Sequence, residues 1–345
     1  MAFRRQHLFQ VMLLVLFFFQ QSATAQNASA GAYLESGLAK YKLADYTAAI
    51  ADYNKAIKLN PKFVNAYYNR GLAKYRNNDF KGAIEDFNQA ITIDPKDADA
   101  WYNMGYTKTM QYDWQGALHD YDKALEIKPK HFRTLFERAY VKATLKDFEG
   151  ATIDYSAALS IDPTYASGYY NRGLSYKNLK KYEAAIKDFD KTIELDPTDA
   201  YAYFDRGVCH ADLKNHQAAL EDFNKVIQLT PKDHLAYYER AMTKEALKDI
   251  RGNIEDLTIA IRLKHDFTNA YFNRGISFLN VEFWEEAKDD FSKVLQLEPT
   301  AWDAYEKRGW SWHKLKNEIS ACEDWKKALS LGSQNALELI KDFCK

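Results

Sequence analysis

The sequence predicts an all-α fold, a solenoid of nine consecutive pairs of antiparallel helices. Three observations carry that expectation. The stretch AYYNRG at residues 66–71 returns as GYYNRG at 168–173 and AYFNRG at 270–275, an interval of 102 residues or three periods of 34. With the first unit set at Ala30, further units start at 64, 98, 132, 166, 200, 234, 268 and 302, without insertion or deletion, so residues 30–333 form one array. The same positions of successive units also carry the same kind of residue, as stacked units sharing one core require.

The chain begins differently. Residues 1–25 combine Arg4 and Arg5, an apolar run from Val11 to Phe19, and Ala23 and Ala25 at the spacing of a cleavage site. That order is expected of a secretory signal peptide. Nine uninterrupted apolar residues fall well short of the roughly 20 that span a bilayer. The expected location is therefore extracytoplasmic, periplasmic or secreted, with no stable membrane insertion after the leader is cleaved.

Within each unit, positions 4, 7, 8 and 11 make one helical stripe, and 20, 24 and 27 make another. Position 8 is always Gly or Ala, from Gly37 to Gly309. Position 20 is alanine in eight units, and position 24 is aromatic in eight (Tyr53, Phe87, Tyr121, Tyr155, Phe189, Phe223, Phe291, Trp325). Small residues let the two helices approach, and the ring fills the wedge between them. Proline at position 32 of seven units uses every proline in the chain and ends the second helix. In the seventh unit Ala241, Asn253, Leu257 and His265 replace the signature residues, so local loosening is expected between Lys232 and Phe267. Beyond Ser333, Leu337, Ile340 and Phe343 recur at helical spacing, and residues 334–345 are expected to be a capping helix.

Together these residues closely resemble the tetratricopeptide repeat family over about residues 30–333. The resemblance implies a right-handed superhelix whose first helices line a concave, peptide-binding groove. It also makes position 7 conspicuous. The family has an apolar residue there, whereas this chain has Arg70, Arg138, Arg172, Arg206, Arg240, Arg274 and Arg308. A guanidinium on a buried stripe needs a carboxylate, and position 23 is aspartate in all nine units. The expected pairing joins the aspartate of one unit to the arginine of the next, as Asp52 to Arg70, leaving Asp86 opposite Met104 and Asp324 without a partner. Pairing within a unit also leaves two orphans. Either way the arginine is expected to be structural and to fix the register between units.

Function is expected on the opposite side of the first helix, where positions 2, 5, 6, 9, 12 and 13 face away from the packed stripe. Position 5 carries Tyr68, Tyr102, Phe136, Tyr170, Phe204, Tyr238 and Phe272. These rings are either ligand anchors or a wall of rings leaning on one another. Position 6 carries Asn69, Asn103, Asn171 and Asn273, amides able to donate to and accept from a peptide backbone together. The row is an incomplete likeness of the asparagine ladder in the repeats of O-linked N-acetylglucosamine transferase. Glu137, Asp205 and Glu239 in the same row favour a partner with positive charge there. Trp310, His313 and Lys314 are expected to form a polar-aromatic spot at the groove mouth.

Other chemistry is not indicated. A net charge of -1 gives no case for nucleic acid. The eight histidines show no ligand spacing, and there is no CxxC pair, phosphate loop or nucleophile elbow, so no catalytic residue, metal or cofactor is assigned. Of three cysteines, Cys209 is expected in the core, while Cys322 and Cys344 meet only if the last helix folds back. The expected function is an exported, non-enzymatic scaffold binding a protein or extended peptide. A carbohydrate- or envelope-binding solenoid and a self-associating structural protein are the alternatives, and the oligomeric state stays open.

Overall fold

The computed structural model describes residues 28–344; the expected signal peptide lies outside them. The chain divides into two compact parts between Ser175 and Tyr176. The first holds α1 (28–42), α2 (Tyr46–Leu59), α3 (Val64–Arg76), α4 (Phe80–Ile93), α5 (Ala98–Met110), α6 (Trp114–Ile127), α7 (Phe132–Thr144) and α8 (Phe148–Ile161). The division falls within α9 (Ala166–Asn178). The second part holds α10 (Tyr182–Leu195), α11 (Ala200–Asp212), α12 (His216–Leu229), α13 (His234–Ala246), α14 (Ile250–Leu263), α15 (Thr268–Asn280), α16 (Trp284–Leu297), α17 (Trp302–Lys314), α18 (Glu318–Ser330) and α19 (Asn335–Phe343). No strand occurs among the described residues. From α3 onward each first helix of a repeat begins at the start read from the period.

The turn inside each repeat is made without glycine. Position 15 is left-handed in every repeat, with φ between 57° and 66° from Ala44 to Lys316. This residue closes the first helix: the next amide returns to the carbonyl of position 11, as Asp79 N–H to Lys74 and Asp249 N–H to Lys244, both 2.8 Å. That next residue then caps the second helix. Asp45, Asp79, Asp113, Asp147 and Asp249 each accept from the amide three residues on.

The core follows the small and large signature residues. The ring at position 24 lies directly on position 8, so that a Cβ on Gly37 would stand 2.4 Å from Tyr53 Cε1, and one on Gly309 would stand 2.6 Å from Trp325 Nε1. Tyr53, Phe87, Tyr121, Tyr155, Phe189, Phe223, Phe291 and Trp325 are at most 1% exposed. In eight repeats such a ring is the largest fully buried side chain that the pair removes from water.

The arginine ladder corrects the expected pairing. Arg70 does not reach Asp52; its Nε and Nη2 donate to Asp86 of the same repeat at 2.8 and 2.6 Å. Arg138, Arg206, Arg240, Arg274 and Arg308 likewise make a two-pronged contact with the aspartate sixteen residues on. Positions 7 and 23 face each other across the antiparallel pair, and this decides the partner. The link to the preceding repeat runs through Nη1 and position 25, occupied by Asn54, Asp122, Ser156, Asp190, Asn224, Thr258 and Ser292. Each arginine thus ties two repeats after all, by a residue the sequence reading overlooked. In six repeats the guanidinium also lies 5.4–5.7 Å from the tyrosine ring at position 4.

Position 11 completes the ladder. Lys40, Lys74, Lys108, Lys142 and Lys244 place Nζ 2.5–2.9 Å from the same aspartates. Asp52, which faces Ser36 rather than an arginine, accepts from Ser36 Oγ at 2.6 Å and from Lys40. The true orphan is Asp120, opposite Met104. It is wholly buried, Lys108 is its one close cation, its Oδ1 has no partner among the described residues, and burial pushes its carboxyl up. Asp324, expected to stand alone, is held by Arg308.

The packing bears on two further expectations. Packing in the seventh repeat does not support loosening: Asn253 and Leu257 are fully buried, and the Asn253 amide donates to Ala241 O at 2.9 Å and accepts from Ser277 Oγ at 2.6 Å. That second bond links the seventh repeat to the eighth. At the end of the chain α19 does fold back, and Cys322 and Cys344 are disulfide-bonded with Cα atoms 5.7 Å apart. Leu339, Ile340 and Phe343 pack against the cluster of Trp325, Ala328 and Ala336. Glu306, at position 5 where seven other repeats have a ring, is buried and accepts from Ser333 Oγ and Asn335 Nδ2, both at 2.8 Å.

Candidate functional site

Position 5 lies on the second turn of each first helix, one side of which must pack against its own second helix. The rings there are half-buried. Five are seated from behind by the position-24 ring of their own repeat: Tyr68 on Phe87 at 6.0 Å, Tyr102 on Tyr121 at 6.2 Å, Phe136 on Tyr155 at 5.4 Å, Phe204 on Phe223 at 5.8 Å and Phe272 on Phe291 at 5.6 Å. In the seventh repeat Leu257 replaces that partner, and Tyr238 leans instead on Phe267 at 5.0 Å. Tyr170 is half-buried as well.

The asparagines at position 6 are partly committed. Asn69, Asn103 and Asn171 each donate Nδ2 to the backbone carbonyl four residues back, at 2.7–2.8 Å. Asn103 also donates to the Tyr68 hydroxyl at 3.0 Å, and Asn273 donates to the Tyr238 hydroxyl at 2.9 Å. The two rows are therefore stitched together at two places, where position 6 of one repeat meets a tyrosine at position 5 of the repeat before. The Tyr68 hydroxyl is pushed up to about 12 by burial, so it is neutral and available as a donor at ordinary pH.

The acidic members of the row differ from one another. Asp205 is buried and ion-paired with Lys177. Glu239 is raised above the ordinary carboxylate range by burial and then by Asp212, against the pull of Lys177. Glu137 is raised further, to about 7, by burial alone, and no ion pair or hydrogen bond reaches its side chain among the described residues. In the repeat register it follows Tyr102 of the preceding repeat. Tyr102 stacks on Tyr106 at 6.0 Å, and Tyr106 lies 5.7 Å from Tyr75. Tyr75, Tyr106 and Lys177 were not singled out from the sequence, although positions 9 and 12 belong to the outward face on which they stand.

The expected spot at Trp310, His313 and Lys314 forms, but the cap occupies part of it. Lys314 Nζ lies 5.0 Å from the Trp310 ring, while Phe343 packs 4.5 Å from His313. Beside it a cleft of about 370 Å³ is lined by Trp284, Lys307, Trp310 and Asn335 among others. No described helix is long and apolar enough to cross a membrane.

Comparison with known proteins agrees with this architecture. Family models described as tetratricopeptide repeat match residues 34–98, 87–119, 166–199 and 200–233, and one described as TPR repeat matches 144–180. Together they cover more than half of the chain. A search of curated proteins finds no match. Among solved structures, YrrB, a TPR protein with an unusual peptide-binding site, is similar at 23% identity and a TM-score of 0.50, over 54% of this chain and 97% of its own. The C-terminal part of a TPR repeat-containing protein of Cytophaga hutchinsonii shares 18% identity at a TM-score of 0.53, over 79% of this chain and 98% of its own. PilF of Pseudomonas aeruginosa shares 16% at 0.52, over 64% and 99%. Identities this low speak for the fold alone.

Proposed function

This chain belongs to the tetratricopeptide repeat family, and from that premise we propose that it is an exported, non-catalytic scaffold that takes a protein or extended peptide on the face of its first helices. One observation carries the reading: the rings at position 5 are half-buried, while the position-24 rings behind them are at most 1% exposed. Six of the seven rings rest on another ring of their own repeat and keep part of their surface for a ligand, the condition under which an aromatic anchor binds at low entropic cost. Polar groups beside the rings supply backbone contacts. YrrB, similar in fold, has a peptide-binding site. Export is supported by the Cys322–Cys344 disulfide, since such bonds persist in oxidising compartments.

The test is a display-library selection of peptides on residues 26–345, run beside a variant with Asn69, Asn103 and Asn171 changed to Ala. Peptides retained by the native chain and lost by the variant support the reading. If no peptide is enriched, it fails, and sugars or self-association become the subject. If the variant keeps the same peptides, the asparagines have no part in binding and the rings alone remain to be tested.

A further inference from the structure

We infer that Glu137 and the tyrosines around it form a seat for one cationic side chain, lysine or arginine, of an extended partner peptide. The inference rests on the peptide-binding reading of this face and narrows it to one contact.

The register comes first. Where position 6 is asparagine and position 5 of the preceding repeat is tyrosine, the amide meets the hydroxyl, as Asn103 meets Tyr68 at 3.0 Å and Asn273 meets Tyr238 at 2.9 Å. Glu137 stands at the same place relative to Tyr102. Glu137 is half-buried, and its charge adds to burial in raising the hydroxyls of Tyr102 and Tyr75, on α5 and α3. The rings are in mutual contact, Tyr102 with Tyr106 at 6.0 Å and with Tyr121 at 6.2 Å.

What the cluster lacks is a cation. Asp205, in the same row, has Lys177, and the buried aspartates of the ladder have arginine or lysine. Glu137 has neither: Arg133, one turn earlier on α7, is exposed and forms no ion pair with it among the described residues. Its partial burial pushes the Glu137 carboxyl up to about 7, with no paired cation to offset it among the described residues. A carboxylate of this kind, in register beside Tyr102 and the Tyr106 ring that stacks on it, fits an ammonium or guanidinium on two counts. The ion pair restores the lost solvation, and ring faces attract the same cation. A metal ion fits poorly, because no group of three His, Cys, Asp or Glu gathers among the described residues.

The experiment compares peptides selected by display on the native chain and on Glu137→Gln. The variant removes only a charge that burial disfavours, so it is expected to fold at least as well. The expected result is a lysine or arginine at one fixed place in the native-selected peptides. Synthetic peptides with that residue changed to glutamine should bind the native chain about tenfold more weakly, and Glu137→Gln should show no such difference. Enriched peptides with no fixed basic residue, or a basic residue whose effect survives in Glu137→Gln, would overturn the cation seat and leave peptide binding standing. No enrichment at all would overturn both.

Discussion

Arg206→Met and Arg240→Met remove the same guanidinium from equivalent positions and should not cost the same. Asp222 is 4% exposed, and Arg206 is its bidentate partner, at 3.0 and 2.5 Å; position 11 of that repeat is His210, not lysine. Removing the arginine strands a buried carboxylate that burial already raises above its ordinary value, at a cost of about 3–5 kcal/mol. Asp256 is equally buried but keeps Lys244 Nζ at 2.8 Å. Losing Arg240 there removes two charged hydrogen bonds, yet one cation stays and methionine gains apolar burial, so the expected cost is about 1–2 kcal/mol. A nine-repeat array need not unfold in two states, so the proper readout is the local opening free energy of α12 and α14 from native-state hydrogen exchange. Adding Asp222→Asn to Arg206→Met should recover most of its loss. Equal losses in the two repeats, or a loss below about 1 kcal/mol for Arg206→Met, would refute the claim that the arginines compensate buried charge.

Three other outcomes follow from single features. Glu137 has its carboxyl raised from 4.5 to about 7, so the folded state prefers the protonated form. The associated stability is complete below about pH 4.5 and is lost as pH rises through 7, at most about 3 kcal/mol. The melting temperature of Glu137→Gln should therefore gain on the native protein between pH 5 and 8; His131, also near Tyr102, titrates in both and cancels, and a constant difference would count against burial as the cause. Changing Cys322 and Cys344 to serine should remove exchange protection from α19, a local loss of about 3 kcal/mol for the 22-residue closure, and leave the first eight repeats as they were; unchanged protection of α19 would show that packing alone holds the cap. Lys214→Gly, at φ 62°, should raise stability by about 1 kcal/mol, whereas a loss would mean that its side chain contributes contacts outweighing the left-handed backbone.

Much of the fold was legible because one period repeats the same physical demands nine times. Small residues under large rings, with proline ending the second helix, determine where each helix begins. The ladder was only half legible. Spacing places Asp86 as near to Arg70 as Asp52 in pattern, and the side of the helix that each residue faces decides between them. The inter-repeat acceptor at position 25 was available as a chemical class: it is Asn, Asp, Ser or Thr in repeats one to eight and lysine only in the last, which no arginine follows. The left-handed turn at position 15 left no mark, because Lys, Asn, Ala, Tyr and Glu stand where glycine would have signalled it. At the candidate site the rows at positions 5 and 6 were visible as rows. Their mutual hydrogen bonds were not, since contact between Asn103 and Tyr68 depends on how one repeat sets against the next.

The most direct test of the central claim places a photo-crosslinking amino acid at Asn103, on a first helix, and separately at Glu126, exposed on the second helix of the same repeat. Each protein is then illuminated with a display-selected peptide. Capture from Asn103 and not from Glu126 is the predicted result. Capture from Glu126 alone, or equally from both, would contradict binding on the face of the first helices.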